Sequence, residues 1–68
     1  MHVKPNAYLI LKKLRKDRGL TGAELARRMD LGTPQHYWNI ENNKNRLTLE
    51  YAYAAAKALN VSVKKFCN

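Results

Sequence analysis

Two closely spaced helix starts constrain this chain more than any other feature. Thr21 with Glu24 three residues on fits a capping box, in which the hydroxyl accepts the N–H of the third helical residue and the carboxylate reaches back to the threonine N–H. Thr33 followed by Pro34 predicts a second start, because Thr is a good N-cap and Pro, with no N–H and a pre-set φ, suits the first helical position. One continuous helix therefore cannot run through Gly19–Glu41 (GLTGAELARRMDLGTPQHYWNIE). The segment must fold as two short helices around a turn.

The rest of the chain reads the same way. Asn6 is a candidate cap for a helix from about Ala7 to Arg18, with Ala7, Ile10, Leu11 and Leu14 on one face. Gly19 ends it where φ can be positive. Leu25, Ala26 and Met29 form the apolar stripe of the next helix, and Tyr37 and Ile40 the buried pair of the one from Pro34 to about Glu41. After a polar connection, Asn42 to Arg46, Thr48 caps a helix carrying Ala52, Tyr53, Ala55, Ala56 and Leu59, and Asn60 suits a left-handed terminator. Ser62 starts a last short helix through Val63 and Phe66. There is no alternating strand pattern and no internal repeat. The expectation is all-α, five short helices around one core, in a single domain over residues 1–68.

A chain of 68 residues lies near the lower limit for a core that holds without disulfides or metal. The lone Cys67 has no internal partner and reads as a small apolar residue of a reducing compartment. No apolar run approaches a membrane span, and MHVKPNAYLILKK is too short in apolar residues for a signal peptide, so a cytoplasmic protein without a membrane partner is expected. Thirteen Lys and Arg against five Asp and Glu give a net charge of +8, which points to a polyanionic partner, nucleic acid first. Most of the excess lies in the first helix and its flanks. His2, His36, Cys67 and the five carboxylates form no metal-ligand spacing and no nucleophile–base set. An enzyme is not expected, nor a cofactor, a metal or a small-molecule ligand.

Leu14-Arg15, Gly19-Leu20-Thr21, Glu24-Leu25-Ala26, Ile40-Glu41, Thr48-Leu49-Glu50, Ala56-Lys57-Ala58-Leu59 and Val61-Ser62 recur in the order and nearly the spacing of a known family. The chain resembles the Cro/repressor-type helix-turn-helix transcriptional regulators, which implies a compact five-helix, lambda-repressor-like DNA-binding domain. It departs from the common pattern twice. One additional residue separates Leu25-Ala26 from Ile40-Glu41, placed in the Asp30-Leu31-Gly32 turn, where the family usually has Gly then an aliphatic residue. Trp38 stands where a small polar residue is more common, and either covers the core edge or faces DNA.

The resemblance implies that the helix from Pro34 to Glu41 enters the major groove of double-stranded DNA while the preceding helix crosses the backbone. Thr33, Gln35, His36, Trp38 and Asn39 are then the candidate base readers, with Gln35 matched to the N6 and N7 edge of adenine. Phosphate contacts are expected from Thr21, Gly22 and Ala23 at a helix N-terminus, from Arg27, Lys12 and Lys16, and from the loop Asn43, Lys44, Asn45 and Arg46. The family pattern also implies an Arg15–Glu41 ion pair and a homodimer contact through Val61, Val63 and Phe66, although Phe66 can equally close the core. A dimer on a palindromic operator follows from how few base pairs one short helix reads. The other reading on the same fold is a protein-binding regulator such as an antitoxin, which normally needs more surface than the few residues after Ser62 supply.

Overall fold

The computed structural model describes residues 1–68 as four α-helices and one 3₁₀ turn. They are α1 (Ala7–Asp17), α2 (Gly22–Arg28), α3 (Pro34–Glu41) and α4 (Leu49–Leu59), with the 3₁₀ turn over Val63–Lys65 in place of a fifth full helix. Three threonines start three helices. The hydroxyl of Thr21 accepts from the Glu24 N–H at 3.0 Å, that of Thr33 from His36 at 3.2 Å and that of Thr48 from Tyr51 at 3.3 Å. Ser62 does the same for the 3₁₀ turn through Lys64. Asn6 differs from expectation. Its side chain makes no cap, and its backbone carbonyl instead accepts from Leu9 and Ile10.

All four helices stop in one way. The residue after the last turn takes positive φ and the next N–H bonds back to a carbonyl of the last turn, a Schellman closure. Gly19 (φ 65°), Asp30 (60°), Asn43 (59°) and Asn60 (56°) hold the left-handed position. The returning bonds run from Leu20 to Arg15, Leu31 to Ala26, Lys44 to Asn39 and Val61 to Ala56, at 2.8–3.1 Å. Leu20, Leu31 and Val61 then pack against the core, which fixes the direction in which each connection leaves. Asp30 and Leu31 thus occupy the usual Gly–aliphatic places. The additional residue is Gly32, exposed and with open space where a side chain would stand. α3 starts directly after it, with Thr33 as the cap and Pro34 as the first helical residue.

The core comprises Ala7 and Leu11 of α1, Leu25, Ala26 and Met29, Tyr37 and Ile40 of α3, Leu47, the alanines and Leu59 of α4, and Phe66 and Cys67. Small side chains at Ala52, Ala55 and Ala56 let α4 lie close to its neighbours. An antiparallel bridge between Val3 and Cys67 ties the two ends of the chain, with the Lys4 N–H donating to the Phe66 carbonyl at 2.7 Å and the Asn68 N–H to the His2 carbonyl at 2.8 Å. The tie seats Phe66 at 0 % exposure. Of its two readings, Phe66 therefore closes the core, and its side chain offers nothing to a second copy. Val61 and Val63 remain partly exposed.

Candidate nucleic-acid interface

The helix α3 has one anchored face and one free face. On the anchored face, Tyr37 and Ile40 are buried and Glu41 is only 8 % exposed. Arg15 on α1 meets Glu41 with Nε at 2.8 Å from Oε1 and a longer contact from Nη2 to Oε2 at 3.4 Å, while its Nη1 donates to the Leu20 carbonyl at 2.8 Å. The Tyr37 hydroxyl donates to the same Glu41 Oε1 at 3.0 Å. A charged hydrogen bond to Glu41 raises the Arg15 pKa further above its ordinary value. Burial, and then the Glu41 charge, push the Tyr37 phenol well above its usual range. Gly22 belongs to this packing too. A Cβ there would stand 3.4 Å from the Tyr37 ring, at ordinary van der Waals contact, so the start of α2 lies directly against α3.

On the free face, Gln35 and Trp38 are exposed and Asn39 partly so. Gln35 Nε2 donates to Asn39 Oδ1 at 3.1 Å, one helical turn along. Trp38 is 45 % exposed, so it does not cover the core, and Lys44 Nζ stands 5.3 Å from its ring centroid, a cation–π distance. The loop after α3 is tied to this face by its backbone, since the N–H groups of Lys44 and Asn45 both donate to the Asn39 carbonyl. Thr33 is exposed, but its hydroxyl is engaged as the α3 cap.

His36 is half-buried and set apart from the other candidate base readers. Its ring turns toward α4, with Nε2 2.9 Å from the Tyr51 hydroxyl and the two rings edge to face at 5.4 Å. Both residues lie three places after a threonine cap, His36 after Thr33 and Tyr51 after Thr48. The pair joins the first turn of α3 to the first turn of α4. No sequence pattern announced Tyr51, because the two positions belong to helices whose approach only the fold sets. The Tyr37–Glu41 contact was findable, since those residues are four apart on one helix.

The expected phosphate contacts fall on two sides of α3. At the start of α2, the capping box already uses the Thr21 N–H, which donates to Glu24 Oε1 at 3.0 Å, and the Thr21 hydroxyl. Those bonds hold the Glu24 carboxyl below its usual range. The Gly22 and Ala23 N–H groups remain without an intrahelical acceptor. They border a cleft of about 390 Å³ that Pro34, Gln35, Tyr37 and Trp38 close from the α3 side. On the other side Asn43, Lys44, Asn45 and Arg46 are all exposed. Arg27 and Lys16 are exposed and Lys12 is partly buried. Only Lys13–Asp17 and Arg15–Glu41 are ion-paired, so the other lysines and arginines keep their charge free for an external anion. No group of His, Cys, Asp and Glu side chains is placed to hold a metal ion, and no helix is long and apolar enough to cross a membrane.

Comparison with known proteins adds a family. No curated protein and no solved structure gives a significant match. The helix-turn-helix family model matches residues 11–66. Because that match runs from the middle of α1 through α2, α3 and α4 to Phe66, the chain belongs to the Cro/C1-type helix-turn-helix family of DNA-binding regulators.

Proposed function

We propose that this chain is a sequence-specific transcriptional regulator of the Cro-like or controller type, a repressor that acts in the cytoplasm by occupying a palindromic operator as a homodimer. The observation that carries the reading is the division of α3 into a face locked by Tyr37, Ile40 and Glu41 and a face where Gln35, Trp38 and Asn39 are free. A helix held this firmly on one side can present amides to base edges at low entropic cost. α3 itself has no Lys or Arg, so affinity falls to its surroundings: the Gly22 and Ala23 N–H groups, Arg27, and the Asn43 to Arg46 loop, with Lys12 and Lys16 adding long-range attraction. Thr21 supports the geometry of that helix start more than it offers a free donor.

One eight-residue helix reads few base pairs, and two copies on a two-fold axis double the site. Val61 and Val63, partly exposed beside the 3₁₀ turn, are the apolar residues proposed for the contact between copies. Selection of bound duplexes from a random pool at a stated salt concentration tests the whole reading. A palindromic motif with half-sites about one helical turn apart is the expected result. Enrichment of no sequence over background would remove sequence-specific reading. A single half-site bound by a monomer would remove the dimer.

A further inference from the structure

The hydrogen bond between Gln35 and Asn39 has consequences for what the free face can read. Within the pair, Gln35 Nε2 is the donor and Asn39 Oδ1 the acceptor. Turning over either amide alone loses the bond, so the orientations of the two side chains are coupled. What remains outward is set by this arrangement. Gln35 keeps its oxygen as an acceptor and one N–H, and Asn39 keeps both N–H groups as donors. Four residues of helix rise about 6 Å, between one and two base-pair steps of about 3.4 Å, so the two amides face neighbouring base pairs.

We propose that Gln35 and Asn39 read DNA as one hydrogen-bonded unit, which selects adenine opposite Gln35 and, at the neighbouring base contacted by Asn39, guanine or thymine against cytosine. The inference rests on the reading that α3 enters the major groove. Adenine offers an N6 donor and an N7 acceptor, which match the remaining oxygen and N–H of Gln35. Guanine O6 and N7 and thymine O4 accept from the Asn39 NH₂, whereas cytosine presents only its N4 donor there and sets donor against donor. Because the second preference depends on an orientation that Gln35 imposes, the two base positions are not read independently. That dependence separates this proposal from ordinary one-residue, one-base recognition.

The test is duplex selection from a random pool with the wild-type chain and with Gln35→Ala, Asn39→Ala and Asn39→Asp, helicity being checked for each since both positions lie on the exposed face. In wild type, the disfavoured bases at the two positions are expected to bind about 5- to 150-fold more weakly. Gln35→Ala is expected to erase the preference at both positions. Asn39→Asp still accepts from Gln35 but presents only acceptors outward, and is expected to shift the second position to cytosine while the adenine stays. If wild type selects a motif but Gln35→Ala erases one position and leaves the other at full strength, the coupling is overturned and the major-groove reading stands. If wild type selects no motif, the major-groove reading fails and the coupling with it.

Discussion

Arg15 and Glu41, in the last turn of α1 and the last residue of α3, form an ion pair of 2.8 Å that is almost closed to water, their side chains 15 % and 8 % exposed. Neither charge stands alone in that setting. Arg15 also holds the Leu20 carbonyl, and Glu41 receives the Tyr37 hydroxyl, so the pair joins α1, the turn before α2, and the middle and last residue of α3. The pair fixes where α3 leaves the core.

Removal of one partner strands the other, and the expected cost of Arg15→Ala or Glu41→Ala is about 3–5 kcal/mol. For a domain of this size that is a large share of total stability. Urea unfolding measures it. The double variant is expected to cost clearly less than the two single losses combined, because the second removal takes away a charge already without its partner.

Tyr37 makes the same cluster sensitive to alkali. Its phenol is held protonated in the folded chain far above the value of about 10 that an unfolded tyrosine shows. Above pH 10 the unfolded chain sheds this proton and the native chain keeps it, so the unfolded state binds fewer protons and stability falls as pH rises, by up to about 1.4 kcal/mol per pH unit. Below pH 10 the contribution is intact. Tyr37→Phe is expected to lose about 1–3 kcal/mol at neutral pH and to unfold with a shallower alkaline limb. Equal slopes for the two proteins between pH 10 and 11 would contradict this.

Glu24 gives the opposite limb. The Thr21 backbone N–H, and then its side chain, hold the Glu24 carboxyl below the usual range, so the capping box stabilises the fold above the unfolded value of about 4.3 and is lost as pH falls through the lower folded value. Thermal melts of wild type and Glu24→Gln between pH 2 and pH 7 are expected to converge at the acid end. The wild type should lead only where Glu24 is ionised.

Much of this architecture was legible in the sequence because capping is local. Thr21, Thr33 and Thr48 announce their helices from side-chain chemistry within four residues, and Gly19 and Asn60 are residue types that accept positive φ. Asp30 and Asn43 hide among polar turn residues and show their left-handed role only through the bonds from Leu31 and Lys44. The Phe66 alternative was undecidable from pattern, since the Val3–Cys67 bridge that seats it joins the two ends of the chain. The surroundings of His36 were hidden for a similar reason. An exposed-looking polar residue near the tip of α3 reads as a base contact until Tyr51, on another helix, is brought to it.

That pairing predicts a particular phenotype. If His36 positions α3 through Tyr51 instead of reading a base, His36→Ala and Tyr51→Phe weaken all duplexes alike by about 0.5–1.5 kcal/mol, the net worth of one hydrogen bond, and leave the preferred sequence unchanged. Selection with each variant checks it. A changed base at one position with His36→Ala, but not with Tyr51→Phe, would return His36 to the groove.

Lys44 and Trp38 allow binding to be followed directly, because Trp38 is the sole tryptophan and lies on the free face of α3 beneath the Lys44 ammonium. DNA that occupies this face must change the surroundings of the indole, so titration with an operator duplex is expected to alter Trp38 emission saturably. On the proposed reading Lys44 supplies charge to the phosphate backbone and no base contact, so Lys44→Ala is expected to weaken all sequences in the same proportion and to lower the slope of log K against log salt by about one. Gln35→Ala, by contrast, leaves that slope intact and loses affinity only against duplexes carrying the preferred bases at the two coupled positions, about 1–3 kcal/mol for each. An unchanged salt slope in Lys44→Ala would place the phosphate contact elsewhere on the loop, and Arg46, exposed two residues on, is the cation to replace next.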